Sequence, residues 1–271
     1  MYDENIAKTL ADYCAAAYSC GSFQGCGNWS CKSCQLHPNA ESLRFSGGTN
    51  GTGVGRGSVS GMVIHDPDLN KVILAFAGTQ VTDLIVWANN LNGELIDYPA
   101  CGGNGCQVHA GFYADYQAIA PSLKESLGYV LARYPQSGLW IAGHSLGGAL
   151  AMLAVADLKG NHSIHAEAVY TFGQPRVGNQ AFAMHLYDIT GRAQPPHAPT
   201  PYFRLVHYQD PIPHAPPVLL GFWHAPTEIF YTEDQTSYQV CNDSGEDFYC
   251  SNSFLFAYRV EDHLNYLGVP F

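Results

Sequence analysis

The stretch LWIAGHSLGGALAML, Leu139 to Leu153, constrains the fold of this chain more than any other. An apolar β-type run meets a serine flanked by glycines at Gly143 and Gly147, and a small-residue helix follows at once. Glycine on both sides keeps Cβ atoms out of a turn too sharp and too closely packed to hold them. The helix beginning at Leu146 points unsatisfied amides and the positive end of its dipole toward Ser145. Gly143-His144-Ser145-Leu146-Gly147 thus matches the G-x-S-x-G nucleophile elbow in its required context of strand, sharp turn and helix.

The neighbouring segments alternate in kind. Ile6, Leu10, Cys14 and Tyr18 recur every four residues, which predicts an amphipathic helix ending near Gly21. A cysteine-rich irregular stretch runs on to about Leu43, and the glycine-laden Ser46 to Ser60 reads as a surface loop or hairpin. Two β-rich runs, Gly61 to His65 and Lys71 to Ala77, flank an Asp-Pro-Asp turn and predict a hairpin. Pro121 to Tyr134 and Leu146 to Lys159 read as helices; Leu139 to Ala142, Ala166 to Phe172 and Tyr202 to His207 read as strands. Alternation of this kind predicts an α/β sheet with helices on its faces, mixed in direction because of the hairpin. With no internal repeat and no linker, residues 1–271 are expected to form one domain.

Charge narrows the function. The excess of 23 acidic over 12 basic residues gives a net charge of -11, which opposes non-specific nucleic-acid binding and a polybasic membrane patch. No apolar run is long enough to span a bilayer, so no transmembrane anchoring is expected. Nine cysteines point to an oxidising compartment, and their odd number leaves at least one thiol outside the chain's own disulfides. Cys101/Cys106 and Cys241/Cys250 look like closed local loops. For Cys31-x-x-Cys34 with Cys20 and Cys26, zinc is a minor alternative and a redox pair a lesser one, since no strand-to-helix context surrounds it. Asn28, Asn50, Asn161 and Asn242 begin glycosylation acceptor triplets.

A serine nucleophile needs a base, the base needs an orienting carboxylate, and the oxyanion needs two donors. By position the base is His263 or His214, with His263 favoured because it follows a β-like run from Phe254 to Val260. His207, inside a predicted strand, reads as structural. Asp210, after that strand and held by Pro211, suits the carboxylate role; Asp188, Asp243 and Asp262 read as solvated surface charges. The oxyanion donors expected are the Leu146 amide and Thr79, at the end of the buried run VILAFA.

Taken together, AFAGT (75–79), VHAGF (108–112), AGHSLGGALA (142–151), TFGQPRVGN (171–179), DPIPHAPP (210–217) and EDHLNYLG (261–268) resemble the fungal class 3 triacylglycerol lipases, a family that includes Rhizomucor- and Thermomyces-type lipases and type A feruloyl esterases. The resemblance runs from Ile6 onward. It implies an α/β-hydrolase fold with a mostly parallel central sheet, helices on both faces and a lid after the first oxyanion strand. It implies the triad Ser145, Asp210 and His263, which resolves the choice of base, with Thr79 and Leu146 as oxyanion residues. His214, and His144 beside the serine, fall in the pocket or its support. Residues 80–91 would be the lid, its apolar group Val81, Leu84, Ile85, Val86 and Trp87 meeting lipid. The implied enzyme is a secreted, extracellular monomer, free of metal and cofactor, hydrolysing lipid esters at an oil–water interface. Feruloyl or other soluble esters, phospholipids and galactolipids are the alternative substrates, and a catalytically silent surface-binding protein is the alternative outside enzymes.

Two features depart from that pattern. No cysteine follows Cys250 to tie the N-terminal helix to the C-terminus, so Cys14 is expected to pair within the extra cluster at residues 14–34. Asn90 stands where relatives carry a carboxylate at the end of the lid.

Overall fold

The computed structural model describes residues 1–20, 29–48, 54, 58–79, 87, 88, 91, 93–101, 105–162, 164–191, 200–254 and 257–271. Its helices are α1 (Glu4–Ser19), α2 (Lys32–Gln35), α3 (Ala110–Arg133), α4 (Leu146–His162), α5 (Gln180–Gly191) and α6 (Val260–His263). Its strands are β1 (Glu41–Gly48), β2 (Ser58–Asp66), β3 (Lys71–Phe76), β4 (Leu95–Asp97), β5 (Gln107–His109), β6 (Gly138–His144), β7 (Ala168–Phe172), β8 (Gly178–Asn179), β9 (Tyr202–His207), β10 (Phe222–Trp223), β11 (Glu228–Tyr231), β12 (Tyr238–Val240), β13 (Asn265–Tyr266) and β14 (Val269–Pro270).

The main sheet has the order β1-β2-β3-β6-β7-β9-β11-β12. From β3 to β11 neighbours run parallel, and antiparallel partners close both edges. This is the mixed sheet expected of the α/β-hydrolase fold. Its central strands are apolar on both sides because both faces are covered. On β6 and β7, Ile141 and Val169 face the core under α3 and α4, whereas Ala142 and Tyr170 face the core under α1. Among the described residues no helix is long and apolar enough to cross a membrane.

Several boundaries differ from expectation. The α3 helix starts at Ala110, eleven residues before Pro121, which lies inside it. Phe112, Tyr116, Ile119 and Leu123 give it a buried stripe that tertiary packing rewards despite the proline. The irregular stretch expected to reach Leu43 gives way to β1 at Glu41, and β1 pairs with β2 as the hairpin alternative foresaw.

Cys14 is a buried free thiol, so the pairing expected for it is wrong. Disulfides join Cys31 to Cys34, Cys101 to Cys106 and Cys241 to Cys250, and Cys20 is disulfide-bonded as well.

His109 sets a pH limit on stability. Its Nδ1 accepts the amides of Gly111 and Phe112 at 3.1 and 3.2 Å, capping α3, and it can do so only while unprotonated. Burial lowers its pKa to about 4. Between about 6.5 and that value the unfolded chain binds a proton that the folded chain refuses, so stability falls as pH falls through this window. The loss expected from His109 is on the order of 3 kcal/mol. Melting curves at pH 7 and pH 4.5 should show it, and His109→Asn, which keeps a capping oxygen, should remove that share of the pH dependence.

Candidate active site

Ser145 occupies the single position between the end of β6 and the start of α4, with φ of 57°. A Cβ on Gly143 would lie 2.1 Å from the Gly147 carbonyl oxygen, and one on Gly147 would lie 2.5 Å from that of Phe76. The glycines are therefore needed for close approach, and Gly147 packs the elbow against the end of β3. That contact brings the loop carrying Gly78 and Thr79 to the N-terminus of α4. Thr79 Oγ1 is buried and has no hydrogen-bond partner among the described residues. The Leu146 amide belongs to the open first turn of α4.

The expected carboxylate and base are in contact. His263 Nδ1 lies 2.8 Å from Asp210 Oδ2 and 3.0 Å from Oδ1. An ionised carboxylate only accepts hydrogen bonds, so Nδ1 carries the proton and Nε2 is left as the basic nitrogen. Nε2 is buried and unpartnered among the described residues. Asp210 also accepts the Ile212 amide at 2.8 Å and the Tyr266 hydroxyl at 2.5 Å. The same pair abuts the elbow: the Ser145 amide bonds to Phe172 O at 2.9 Å, and a Cβ on the next residue, Gly173, would lie 2.7 Å from both Asp210 Oδ2 and His263 Nδ1. His263 and Asp210 are fully buried and Ser145 is 2% exposed. The cavity of about 510 Å³ beside Tyr98, Tyr113 and Lys124 is lined by none of these three residues.

His263 was expected after a β-like run; it ends the short helix α6 instead. Asp262, expected on the surface, is buried and accepts the Gln209 amide at 3.1 Å. Burial is the main cause that raises its pKa. His207 is buried at the end of β9, and its Nδ1 meets the carbonyls of Asp262 and Asn265 at 2.9 Å, which ties the α6 turn to the strand before Asp210. That agrees with the structural role expected of it.

His214 ends a 3-10 turn after Asp210. Its carbonyl accepts from Arg176 Nη1 at 2.6 Å, while Arg176 grips both oxygens of Glu246 at 2.7 Å. Burial lowers the pKa of His214, and nearby Arg176 adds to the effect. His144 is buried beneath the serine, with Nδ1 2.8 Å from the Tyr18 hydroxyl and Nε2 2.8 Å from the His263 carbonyl. Of the lid residues, Trp87 is buried and donates Nε1–H to the Val54 carbonyl at 3.2 Å. Val81, Leu84, Ile85, Val86 and Asn90 lie outside the described residues.

Sequence reasoning gave no role to Tyr266, Tyr18 or Phe271. Tyr266 follows His263 by three residues within the quoted EDHLNYLG, so its proximity was the one available signal. Tyr18 and Phe271 come from the two ends of the chain, and no local pattern points from them to Ser145.

The family described as Lipase (class 3) matches residues 73–220. A lipase from Rhizomucor miehei is 33% identical over 77% of this chain and 55% of its own length. The chain spans 55% to 62% of the length of the first curated relatives it matches. The crystal structure of a lipase from Rhizopus microsporus var. chinensis has a TM-score of 0.81 and 28% identity, covering 99% of this chain and 89% of that one. A solved triacylglycerol lipase whose catalytic centre is described as a serine protease triad has a TM-score of 0.80 and 28% identity, covering 98% of this chain and 95% of that one. With a nucleophile elbow on the expected strand, a buried His–Asp pair against it and these matches along the chain, the protein belongs to the fungal class 3 lipase family.

Proposed function

We propose that the chain is a secreted serine-type carboxylic ester hydrolase that acts on triacylglycerols through an acyl-enzyme. The observation that carries this reading is the His263 imidazole: oriented by Asp210, buried, and unpartnered at Nε2 beside the elbow. In the reaction Nε2 takes the Ser145 hydroxyl proton while Oγ bonds to the ester carbonyl carbon. The oxyanion so formed is held by the Leu146 amide and by the amide and hydroxyl of Thr79. His263 then returns its proton to the departing alcohol as the carbon–oxygen ester bond breaks. Water repeats the cycle to release the acid.

A nucleophile only 2% exposed requires a cover to move before a substrate can reach it. The apolar group Val81, Leu84, Ile85, Val86 and Trp87 in the sequence suits a cover whose underside meets lipid, and the net charge of -11 favours a neutral surface over an anionic one. The disulfides support an extracellular working compartment.

Turnover should be measured on emulsified long-chain triacylglycerol and on methyl ferulate, with Ser145→Ala as the blank. The expected result is hydrolysis of the emulsion, rising sharply above the solubility limit of a short-chain triacylglycerol. Turnover of methyl ferulate alone, with no response to an interface, overturns the lipid reading in favour of a soluble-ester esterase.

A further inference from the structure

We propose that Tyr18, at the end of the N-terminal helix, is a positioning residue for the catalytic histidine: its hydroxyl holds the His144 ring at Nδ1, and His144 holds the main chain of His263. The inference rests on the ester-hydrolase reading above for its kinetic consequence, but not for its hydrogen-bond chemistry.

The proton positions follow from donors and acceptors alone. The His263 carbonyl can only accept, so His144 Nε2, 2.8 Å away, must carry a hydrogen. Burial, and then the neighbouring His263, drive the pKa of His144 well below the usual histidine range, so the ring is neutral and its Nδ1 bears a lone pair. The group at Nδ1 is the Tyr18 hydroxyl, 2.8 Å away, and it must therefore be the donor. One consistent arrangement runs from Tyr18 O–H through His144 to the His263 carbonyl.

The surroundings hold that relay rigidly. The His144 ring stacks on Phe271, at the C-terminal end of the sequence, with centroids 3.9 Å apart and planes 7° apart. Tyr18 packs edge-on against the same phenylalanine. A Cβ on Gly78 would lie 1.9 Å from the Tyr18 oxygen, so the phenol also rests against the loop that presents Thr79. Burial raises the pKa of the phenol, so it keeps its proton to donate. One hydroxyl thus touches the oxyanion loop and the residue that pins the base. None of these contacts is with substrate, so Tyr18 acts through them.

The relay also suits the charge that catalysis creates. The ring centroids of His144 and His263 are 4.5 Å apart. A second positive imidazole at that distance would oppose the imidazolium that His263 must become. With Nδ1 occupied by a phenolic proton, His144 stays neutral.

The test is Tyr18→Phe, which keeps the ring packing and removes one oxygen. On a soluble butyrate ester, kcat is expected to fall about 10²-fold, the scale of a displaced catalytic group, with KM within about twofold of the parent under that same assignment. Long-range ¹H–¹⁵N spectra should show His144 as the Nε2–H tautomer in both proteins, with Nδ1 resonating as a hydrogen-bonded acceptor in the parent and, shifted downfield, as an unbonded lone-pair nitrogen in the variant. In a His144→Gln background, Tyr18→Phe should add little further loss, because the two act in series. A Tyr18→Phe protein with parental kcat, or an Nδ1 resonance of His144 that does not move, overturns the proposal. If the parent itself hydrolyses no ester, the functional reading fails instead, and the Nδ1 comparison still decides the Tyr18 assignment.

Discussion

Ser145→Ala is expected to lower kcat by about 10⁶-fold, the scale seen when a triad nucleophile is removed, while leaving the fold intact. The side chain contributes no packing that alanine lacks, and the amide bond from Ser145 to the Phe172 carbonyl is retained. Asp210→Asn should be graded below it, at about 10⁴-fold. An amide at that site can donate as well as accept, so it no longer enforces a proton on Nδ1 of His263. The Tyr266 hydroxyl, 2.5 Å from Asp210 Oδ2, would lose its charged acceptor at the same time. Steady-state kinetics on one soluble ester for both variants checks the ranking. Equal and small losses in the two would show that the three residues do not act as a unit.

Arg204→Leu is expected to be the most destabilising substitution outside the site, by about 3–5 kcal/mol. Arg204 is fully buried in β9, and its Nη2 donates to Glu228 Oε2 at 2.7 Å and to the Gly245 carbonyl at 3.2 Å. Glu228 sits opposite it on the parallel neighbour β11 and also accepts the Ser251 amide at 3.0 Å. Removing the guanidinium strands a carboxylate in the interior. Replacing both partners with leucine should recover much of the loss, because no lone charge then remains buried. Urea unfolding of the single and double variants separates the two cases. If Arg204→Leu costs under about 1 kcal/mol, the pair is behaving as an exposed one.

Local chemistry made parts of this protein legible in its sequence. The elbow could be read because a serine between two glycines, after an apolar strand and before a small-residue helix, satisfies steric and dipolar demands within five residues. The β2–β3 hairpin announced itself through its turn, and Asp210 through its place after a strand and before a proline. What stayed hidden depends on contacts distant in the chain. The α3 helix begins at a histidine cap rather than at Pro121, because burial of Phe112 and Tyr116 outweighs the cost of an interior proline. Asp262 looked like a surface charge since nothing near it in sequence shows that the Gln209 amide will meet it. Cys14 stood on the predicted apolar stripe of its helix, but nothing near it in sequence singled it out as the thiol left unpaired. Tyr18 and Phe271 converge on His144 from opposite ends of the chain, a meeting created by tertiary packing alone.

The central claim is that imidazole and carboxylate activate the hydroxyl at position 145. Treating folded protein with a serine-directed phosphonate ester, then mapping the adduct by peptide mass spectrometry, tests it most directly. One adduct per chain is predicted, on Ser145, abolished in His263→Ala and absent from protein unfolded before treatment. A folded protein that takes no label, or takes it on another residue at the same rate with and without His263, would contradict the account.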